Sequence, residues 1–144
     1  HDALPILASG MRRLVLAIAL FVPACEAFEP ACELAVDGEL RLSTPVTTST
    51  AVAHATLWQY DPDVAGGAVE PIATFMSSMQ RGVQVVPFSL DPAASDADLA
   101  HYVTASVDVD GDGVDELGDY AVTDFHPVAP CGARVILALT PRTP

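Results

Sequence analysis

Apolar and polar residues alternate in short runs along most of the sequence, and glycine, proline and aspartate separate the runs. Alternation with a period of two is typical of β-strands that bury one face. In the run Tyr102–Val109, for example, Val103 and Val107 lie on one face while Thr104 and Ser106 lie on the other. The pattern predicts seven strands, at about Leu34–Leu42, Ala51–Tyr60, Ile72–Met76, Val83–Leu90, Tyr102–Val109, Asp119–Pro127 and Ala133–Thr140.

Seven short strands in about 110 residues favour an all-β fold in which two sheets pack as an immunoglobulin-like sandwich. Hydrophobic residues make up 51% of the chain, which is enough to form a sizeable core. Ser95–Ala100 allows a single helical turn between two of the strands. We expect residues 34–144 to form one β-sandwich domain.

The N-terminal residues have the pattern of segments that are removed instead of folded. His1–Ile6 resembles a translated sequencing adapter, so residues 1–10 are expected to be an artefactual extension, with a genuine extension as the alternative. From Met11, two arginines precede the apolar run Leu14–Val22, which is too short to span a bilayer. This order predicts a signal peptide over residues 11–24 and an exported protein.

The end of this segment, VPAC at Val22–Cys25, resembles a bacterial lipobox. Cleavage before Cys25 would leave this cysteine to carry lipid, with residues 25–33 as a tether to the membrane. Cleavage near Ala27 is the alternative, and it would discard Cys25 and release a secreted protein. We therefore expect a lipoprotein that is anchored in the outer membrane or faces the periplasm, with plain secretion as the alternative.

The sequence contains three cysteines, Cys25, Cys32 and Cys131. An odd number of cysteines in an exported protein needs an explanation. Lipidation or removal of Cys25 leaves Cys32 and Cys131, so both outcomes predict the same disulfide in a compartment that permits it. Because these two cysteines precede the first and last predicted strands, the bridge is easiest to form if those strands are parallel neighbours.

The chain is strongly acidic, with 19 acidic residues, six basic residues and a formal net charge of −13. Such a charge repels nucleic acids and anionic membrane surfaces, so no nucleic-acid partner is expected. It suits cations, basic partners or a salty medium.

The chain resembles small bacterial lipoproteins of the YbaY/YscW type in four stretches, VDGELRL, VVPFSLDP, YVTASVDVDGDG and GDYAVTDFHPV. The resemblance spans residues 34–140 and lies in the strand pattern and in the motif PFSL. It implies a β-sandwich domain with a secretion-chaperone or pilotin role, or one of unknown function. The acidic loop described next is not part of what this resemblance implies.

The most distinctive motif is the acidic stretch DVDGDGVDELGD, which runs from Asp108 to Asp119. It fits the loop pattern of EF-hand calcium sites, in which alternate carboxylates converge and a glycine at the sixth position makes a sharp turn. Gly113 occupies that sixth position. The candidate Ca²⁺ ligands are the carboxylates of Asp108, Asp110, Asp112, Glu116 and Asp119 and the backbone carbonyl of Val114.

Three features of this stretch depart from an EF-hand. The twelfth position is Asp119 instead of a longer glutamate, and Asp115 stands where an apolar residue normally packs. The flanking segments are predicted strands instead of helices. The hypothesis is therefore a calcium-type loop in a β-hairpin, with magnesium binding or a solvated acidic turn as the alternatives.

Other residues give weaker indications of chemistry. His54, His101 and His126 lack zinc-ligand spacing and lie in, or directly before, three separate predicted strands. No serine occurs in a nucleophile elbow of the G-x-S-x-G type, and we do not expect an enzyme. Trp58 and Tyr60 form either an aromatic contact patch or a half-buried strand end.

The favoured hypothesis is an exported, lipid-anchored module of the cell envelope that binds a partner or has a structural role, with a calcium-stabilised acidic hairpin. One alternative is an assembly or secretion chaperone lipoprotein that binds a client at a sheet edge. Another alternative is a secreted hydrolase with an unrecognised site. The sequence does not indicate the identity of the protein partner.

Overall fold

The computed structural model of the chain describes residues 32–144, and every regular element in this range is a β-strand. The predictions for the preceding segment, including the signal peptide and lipidation of Cys25, lie outside the described residues. Among residues 32–144 there is no helix long and apolar enough to cross a membrane. The eight strands are β1 (Val36–Leu42), β2 (Val52–Tyr60), β3 (Val69–Ser78), β4 (Val85–Leu90), β5 (Ala100–Asp108), β6 (Tyr120–Ala121), β7 (His126–Val128) and β8 (Ala133–Pro141).

The strands form one hydrogen-bonded path in the order β3-β2-β5-β6-β8-β1-β4, and β7 pairs with β5 off this path. Strands β4, β1 and β8 make one layer, and strands β3, β2 and β5 make the other. The two-residue strand β6 pairs with both β5 and β8 and so joins the layers. The result is an all-β fold in which eight strands form a nearly closed sheet, and this confirms the predicted all-β class.

The first and last strands lie side by side and run parallel, with Val36 opposite Ala133. Every other pairing between the named strands is antiparallel. Just before this parallel pair, Cys32 and Cys131 form a disulfide, and their Cα atoms are 5.0 Å apart. The structure therefore contains both the expected bridge and the expected parallel neighbours.

The core lies between the two layers and follows the alternation along each strand. Strand β2 supplies Ala53, Ala55 and Leu57 from one layer, and β8 supplies Leu137 and Leu139 from the other. Each of these side chains is 1% exposed or less. Burial of such apolar surface is the main favourable contribution to folding. The intervening residues of β2 point to the opposite side, so the layer has an outer face that is free to carry function.

The sixth predicted strand, Asp119–Pro127, is two short strands in the structure. Strand β6 pairs with the end of β5, at Ser106 and Val107, whereas β7 pairs with the start of β5, at residues 101–103. The segment between β6 and β7 leaves the ladder as it passes the middle of β5. Alternation of apolar residues cannot reveal this gap, because the segment keeps the composition of a strand.

Strand β3 is longer than predicted at both ends. The register shifts opposite Leu57 and Trp58, and this irregularity lets the ladder continue past Pro71, which has no N–H to donate. The boundary predicted at Ile72 is therefore wrong because a proline in an edge strand is tolerated.

The helical turn expected at Ser95–Ala100 is also wrong. The Asp96 side chain accepts the N–H of Asp98, and the Asp96 carbonyl accepts the N–H of Leu99. These bonds make a single tight turn of the kind that aspartate favours, and strand β5 begins directly after it.

His101 is a buried polar residue at one end of the core. It lies on β5 opposite Gln59 of β2, and only 3% of its surface is exposed. Within the described residues, neither ring nitrogen has a hydrogen-bond partner, and the side-chain oxygen of Gln59 also lacks one. Burial lowers the pKa of His101 below its ordinary value of 6.5, and Asp96 opposes this with a smaller upward effect. The fold therefore favours the neutral imidazole.

Replacing His101 with leucine should make the stability of the fold less sensitive to acid. Because the pKa of His101 is lower in the folded than in the unfolded chain, its stabilising contribution is present above pH 6.5 and is lost as the pH falls below that value. Melting temperatures measured between about pH 7 and about pH 5 should fall more steeply for the wild type than for His101→Leu. His54→Leu is a matched control for the loss of a histidine, because His54 lies on the outer face of β2 instead of in the core. Parallel profiles for the wild type and His101→Leu would contradict the prediction.

Candidate functional site

The acidic loop, residues 108–119, connects the end of β5 to the start of β6. Asp108 is the last residue of β5 and belongs to the same outward row as Thr104 and Ser106. The alternation that buries Val107 therefore places the first acidic side chain on the outer face of the layer. The loop continues from that face.

Asp108 organises the first half of the loop. Its Oδ1 accepts the N–H of Gly111 at 2.6 Å, and its Oδ2 accepts the N–H of Gly113 at 2.8 Å. These bonds, the one from Gly113 first, lower the pKa of Asp108 because they stabilise the charged carboxylate. Gly113 has a φ of +78°, which glycine adopts without strain, so the turn expected at this position is present.

Asp108, Asp110 and Asp112 each place a carboxylate oxygen within 4.8 Å of the others. Asp110 accepts the N–H of Asp112 at 3.3 Å, and Asp112 accepts the N–H of Val114 at 2.7 Å. Three converging carboxylates are a donor set suited to a hard cation such as Ca²⁺. Within residues 32–144, this is the one group of His, Cys, Asp or Glu side chains close enough to share a metal ion.

Asp119, the expected ligand at the twelfth position, is not one of the three carboxylates that converge. It is only 3% exposed, its Oδ1 accepts the N–H of Val109 at 2.8 Å, and its Oδ2 accepts the N–H of Glu116 at 3.0 Å. These bonds join the start of the loop to its end and satisfy a carboxylate that would otherwise be costly to bury. Asp119 therefore acts as a clamp that closes the loop.

Glu116 and Val114 remain near the three carboxylates. The neighbouring carboxylates, Asp110 and Asp112 first, raise the pKa of Glu116, because like charges disfavour ionisation. Glu116 is therefore within electrostatic reach of the group. Val114 has an exposed side chain and donates its N–H to Asp112.

A shallow groove lies beside the loop on the outer face of β2 and β5. His54 and Ser106 are direct partners across the two strands and line this groove. Asp115 of the loop borders the groove and pairs with Arg142, whose Nη2 lies 2.6 Å from its Oδ2. His54 faces outward and His101 faces the core, so the structure does not bring these two histidines together.

Four aromatic side chains form a cluster towards the opposite end of the same outer face, which we term the aromatic patch: Trp58, Tyr60, Tyr102 and Phe125. Trp58 and Tyr60 are candidates from the sequence, whereas Tyr102 and Phe125 are not. Tyr102 could have been found from its outward place in the alternation of β5. Phe125 gave no such signal, because it lies in the segment that leaves the ladder between β6 and β7.

Strands β3 and β4 end the strand path, so within the described region each has a strand neighbour on one side only. Pro71 in β3 and Pro87 in β4 lack an N–H, and prolines blunt open sheet edges. Strand β4 continues for three residues after Pro87, whereas β3 continues for seven residues, Ile72–Ser78, after Pro71. The longer uninterrupted edge is therefore in β3, where Met76 is 70% exposed.

No protein-family model matches the chain, and no curated protein matches it. Among solved structures, the fold is similar to that of an alternative pilotin from the type II secretion system of Vibrio cholerae. The TM-score is 0.56 and the sequence identity is 17%, and the similarity covers 76% of this chain and 97% of the pilotin chain. At this identity the similarity concerns the fold alone.

Proposed function

We propose that this chain is an assembly or secretion chaperone lipoprotein of the cell envelope, which binds a client protein. The observation that carries the proposal is the fold shared with a pilotin over 97% of that chain. The disulfide between Cys32 and Cys131 supports it, because such bonds persist outside the cytoplasm. The fold similarity favours this alternative over the envelope module of general binding or structural role.

The proposed location is the outer membrane. The expected lipid on Cys25 would anchor the chain there, and residues 25–33 would tether the folded region to the membrane surface. The proposal assigns binding and no catalytic activity.

The client is proposed to add a strand to the open edge of β3. An open edge presents backbone N–H and C=O groups that another extended chain can pair with. The stretch Ile72–Ser78 offers the longest such edge, and Met76 offers an exposed apolar side chain beside it. A short client segment of a few residues would fit between Pro71 and the end of the strand.

Photo-crosslinking in the native cell tests this proposal. A photoreactive residue in place of Thr74 should capture a client that belongs to a secretion apparatus, whereas one in place of Ile136 should not. Thr74 and Ile136 are both exposed strand residues, but Ile136 lies on the outer face of the other layer. Met76→Asp should weaken capture from position 74, because a charge on an edge opposes strand addition. Ile136→Asp should leave that capture unchanged.

Equal capture from positions 74 and 136 would contradict binding at the edge of β3. Capture of a protein unrelated to secretion from position 74 would contradict the chaperone role itself.

We also propose that the acidic loop binds Ca²⁺ and that binding stabilises the hairpin instead of supporting catalysis. The proximity of the three carboxylates and the raised pKa of Glu116 support this, since both indicate repulsion that a cation would relieve. Asp108, Asp110 and Asp112 would hold the ion, with Glu116 and the Val114 carbonyl as further ligands. An affinity of about 10⁻⁴–10⁻³ M is sufficient in extracellular modules.

The melting temperature should rise with calcium and fall with chelator. Calcium at about 100 times its dissociation constant would add about 2.7 kcal/mol to the free energy of unfolding. Asp110→Ala or Asp112→Ala should abolish the rise because each removes a ligand oxygen, whereas Asp91→Ala, which removes an exposed carboxylate outside the loop, should retain it. Asp119→Asn should lower the melting temperature even in chelator, because it breaks the clamp between Val109 and Glu116. Identical melting curves in calcium and in chelator would leave the loop as a solvated acidic turn.

A further inference from the structure

The aromatic patch lies on the outer face of β2 and β5, where Trp58, Tyr60 and Tyr102 are half-buried and Phe125 is exposed. Its strand residues lie on the outward rows of β2 and β5, on the opposite side from the core residues Leu57 and Val103. Phe125 is 60% exposed, and Val69, opposite Tyr60 on β3, is 47% exposed and extends the apolar surface to the edge of the layer. Contiguous apolar surface of this kind is typical of an interaction site.

The rings are held in position by one another and by the sheet. The Tyr102 ring centroid lies 5.0 Å from that of Phe125, 5.6 Å from that of Tyr60 and 6.3 Å from that of Trp58. The indole N–H of Trp58 donates to Oγ1 of Thr104 at 2.8 Å. This bond satisfies the polar N–H of the indole and holds the ring in position beside Tyr102. A surface fixed in this way loses little side-chain freedom when a partner binds.

Acidic residues flank two members of the patch in the sequence. Asp61 and Asp63 follow Tyr60 in the turn after β2, and Asp124 precedes Phe125. None of these three carboxylates forms an ion pair within residues 32–144. The four arginines of residues 32–144 are not in the patch. Arg41 and Arg134 contact Glu39, Arg142 pairs with Asp115, and Arg81 is in the turn between β3 and β4. The patch therefore combines aromatic ring faces with uncompensated negative charge.

We propose that the aromatic patch binds a basic segment of a partner protein, in which arginine or lysine side chains alternate with apolar ones. Ring faces attract cations, and a guanidinium group also stacks on a ring. Asp63 and Asp124 add Coulomb attraction at the rim, and the apolar side chains of the segment pack against Phe125 and Val69. This inference goes beyond the proposed function, since it concerns side chains of the outer face and not the backbone edge of β3.

The charge of the whole chain acts in the same direction. A net charge of −13 attracts a basic partner over long range and repels nucleic acids and acidic polymers. A neutral glycan would also stack on the rings, but its binding would depend neither on salt nor on the rim carboxylates. The effects of salt and of the rim carboxylates on affinity therefore distinguish a basic peptide from a neutral glycan.

Trp58 is the one tryptophan of the sequence, so its fluorescence reports occupancy of the patch directly. The probe is a short peptide in which arginine alternates with leucine and alanine, and the matched peptides carry glutamine or glutamate in place of arginine. The arginine peptide should change Trp58 emission saturably and bind at least about tenfold more tightly than either matched peptide. Its affinity should fall as sodium chloride is raised from about 50 mM to about 500 mM, because salt screens the rim charges.

Substitutions inside and outside the patch show where the peptide binds. Phe125→Ser should weaken binding of the arginine peptide by about tenfold, whereas Ile136→Ser, at a similarly exposed apolar residue on the other layer, should not. The double variant Asp63→Asn with Asp124→Asn should lower the affinity for the arginine peptide severalfold and make that affinity less dependent on salt. Thermal melting of each variant shows whether the fold is intact.

Equal affinity for the three peptides, no binding of the arginine peptide, or unchanged affinity in folded Phe125→Ser would overturn the proposal. Saturable quenching of Trp58 by an oligosaccharide of N-acetylglucosamine, with none by the arginine peptide, would assign the patch to a glycan and overturn it as well.

Discussion

The parallel pairing of β1 with β8 is the constraint on which the rest of the structure depends. It brings the first and last strands of the described chain together, and the disulfide between Cys32 and Cys131 fixes the start of both strands. Gly132 is required at this junction, because a Cβ there would overlap the carbonyl oxygen of Ala35, whose hydrogen bond with the Ala133 N–H begins the ladder. The bridge closes a long loop, so it removes much freedom from the unfolded chain.

This closure determines which surfaces remain for function. Strand β8 is joined through β6 to β5, so the two layers are hydrogen-bonded along one side and open along the other, where β3 and β4 have free edges. Strand β5 then carries the aromatic patch near its start, at Tyr102, and the acidic loop at its end, at Asp108. These residues are about 20 Å apart along the strand, so a partner at one site leaves the other accessible.

Much of this fold could be predicted from the sequence. The alternation of apolar and polar residues within each strand predicts the strand, and the number of cysteines predicts the disulfide. The disulfide and the parallel neighbours follow from the positions of Cys32 and Cys131 before two strands. The gap between β6 and β7 could not be predicted, since it depends on which part of β5 each short strand meets. For the same reason Phe125 gave no sign of its contact with Tyr102. Asp119 matches a ligand position, and its additional bonds to the N–H groups of Val109 and Glu116 could not be predicted from the motif, because they depend on how the loop folds back on itself.

Cross-strand nuclear Overhauser effects between β1 and β8 test the central claim most directly. In the oxidised protein, backbone protons of Leu40 should lie close to those of the residues on either side of Leu137, and those of Val36 close to Ala133, in a parallel register. An antiparallel pattern would contradict the account. So would a register shifted by one residue, because it would turn the buried face of β8 towards solvent.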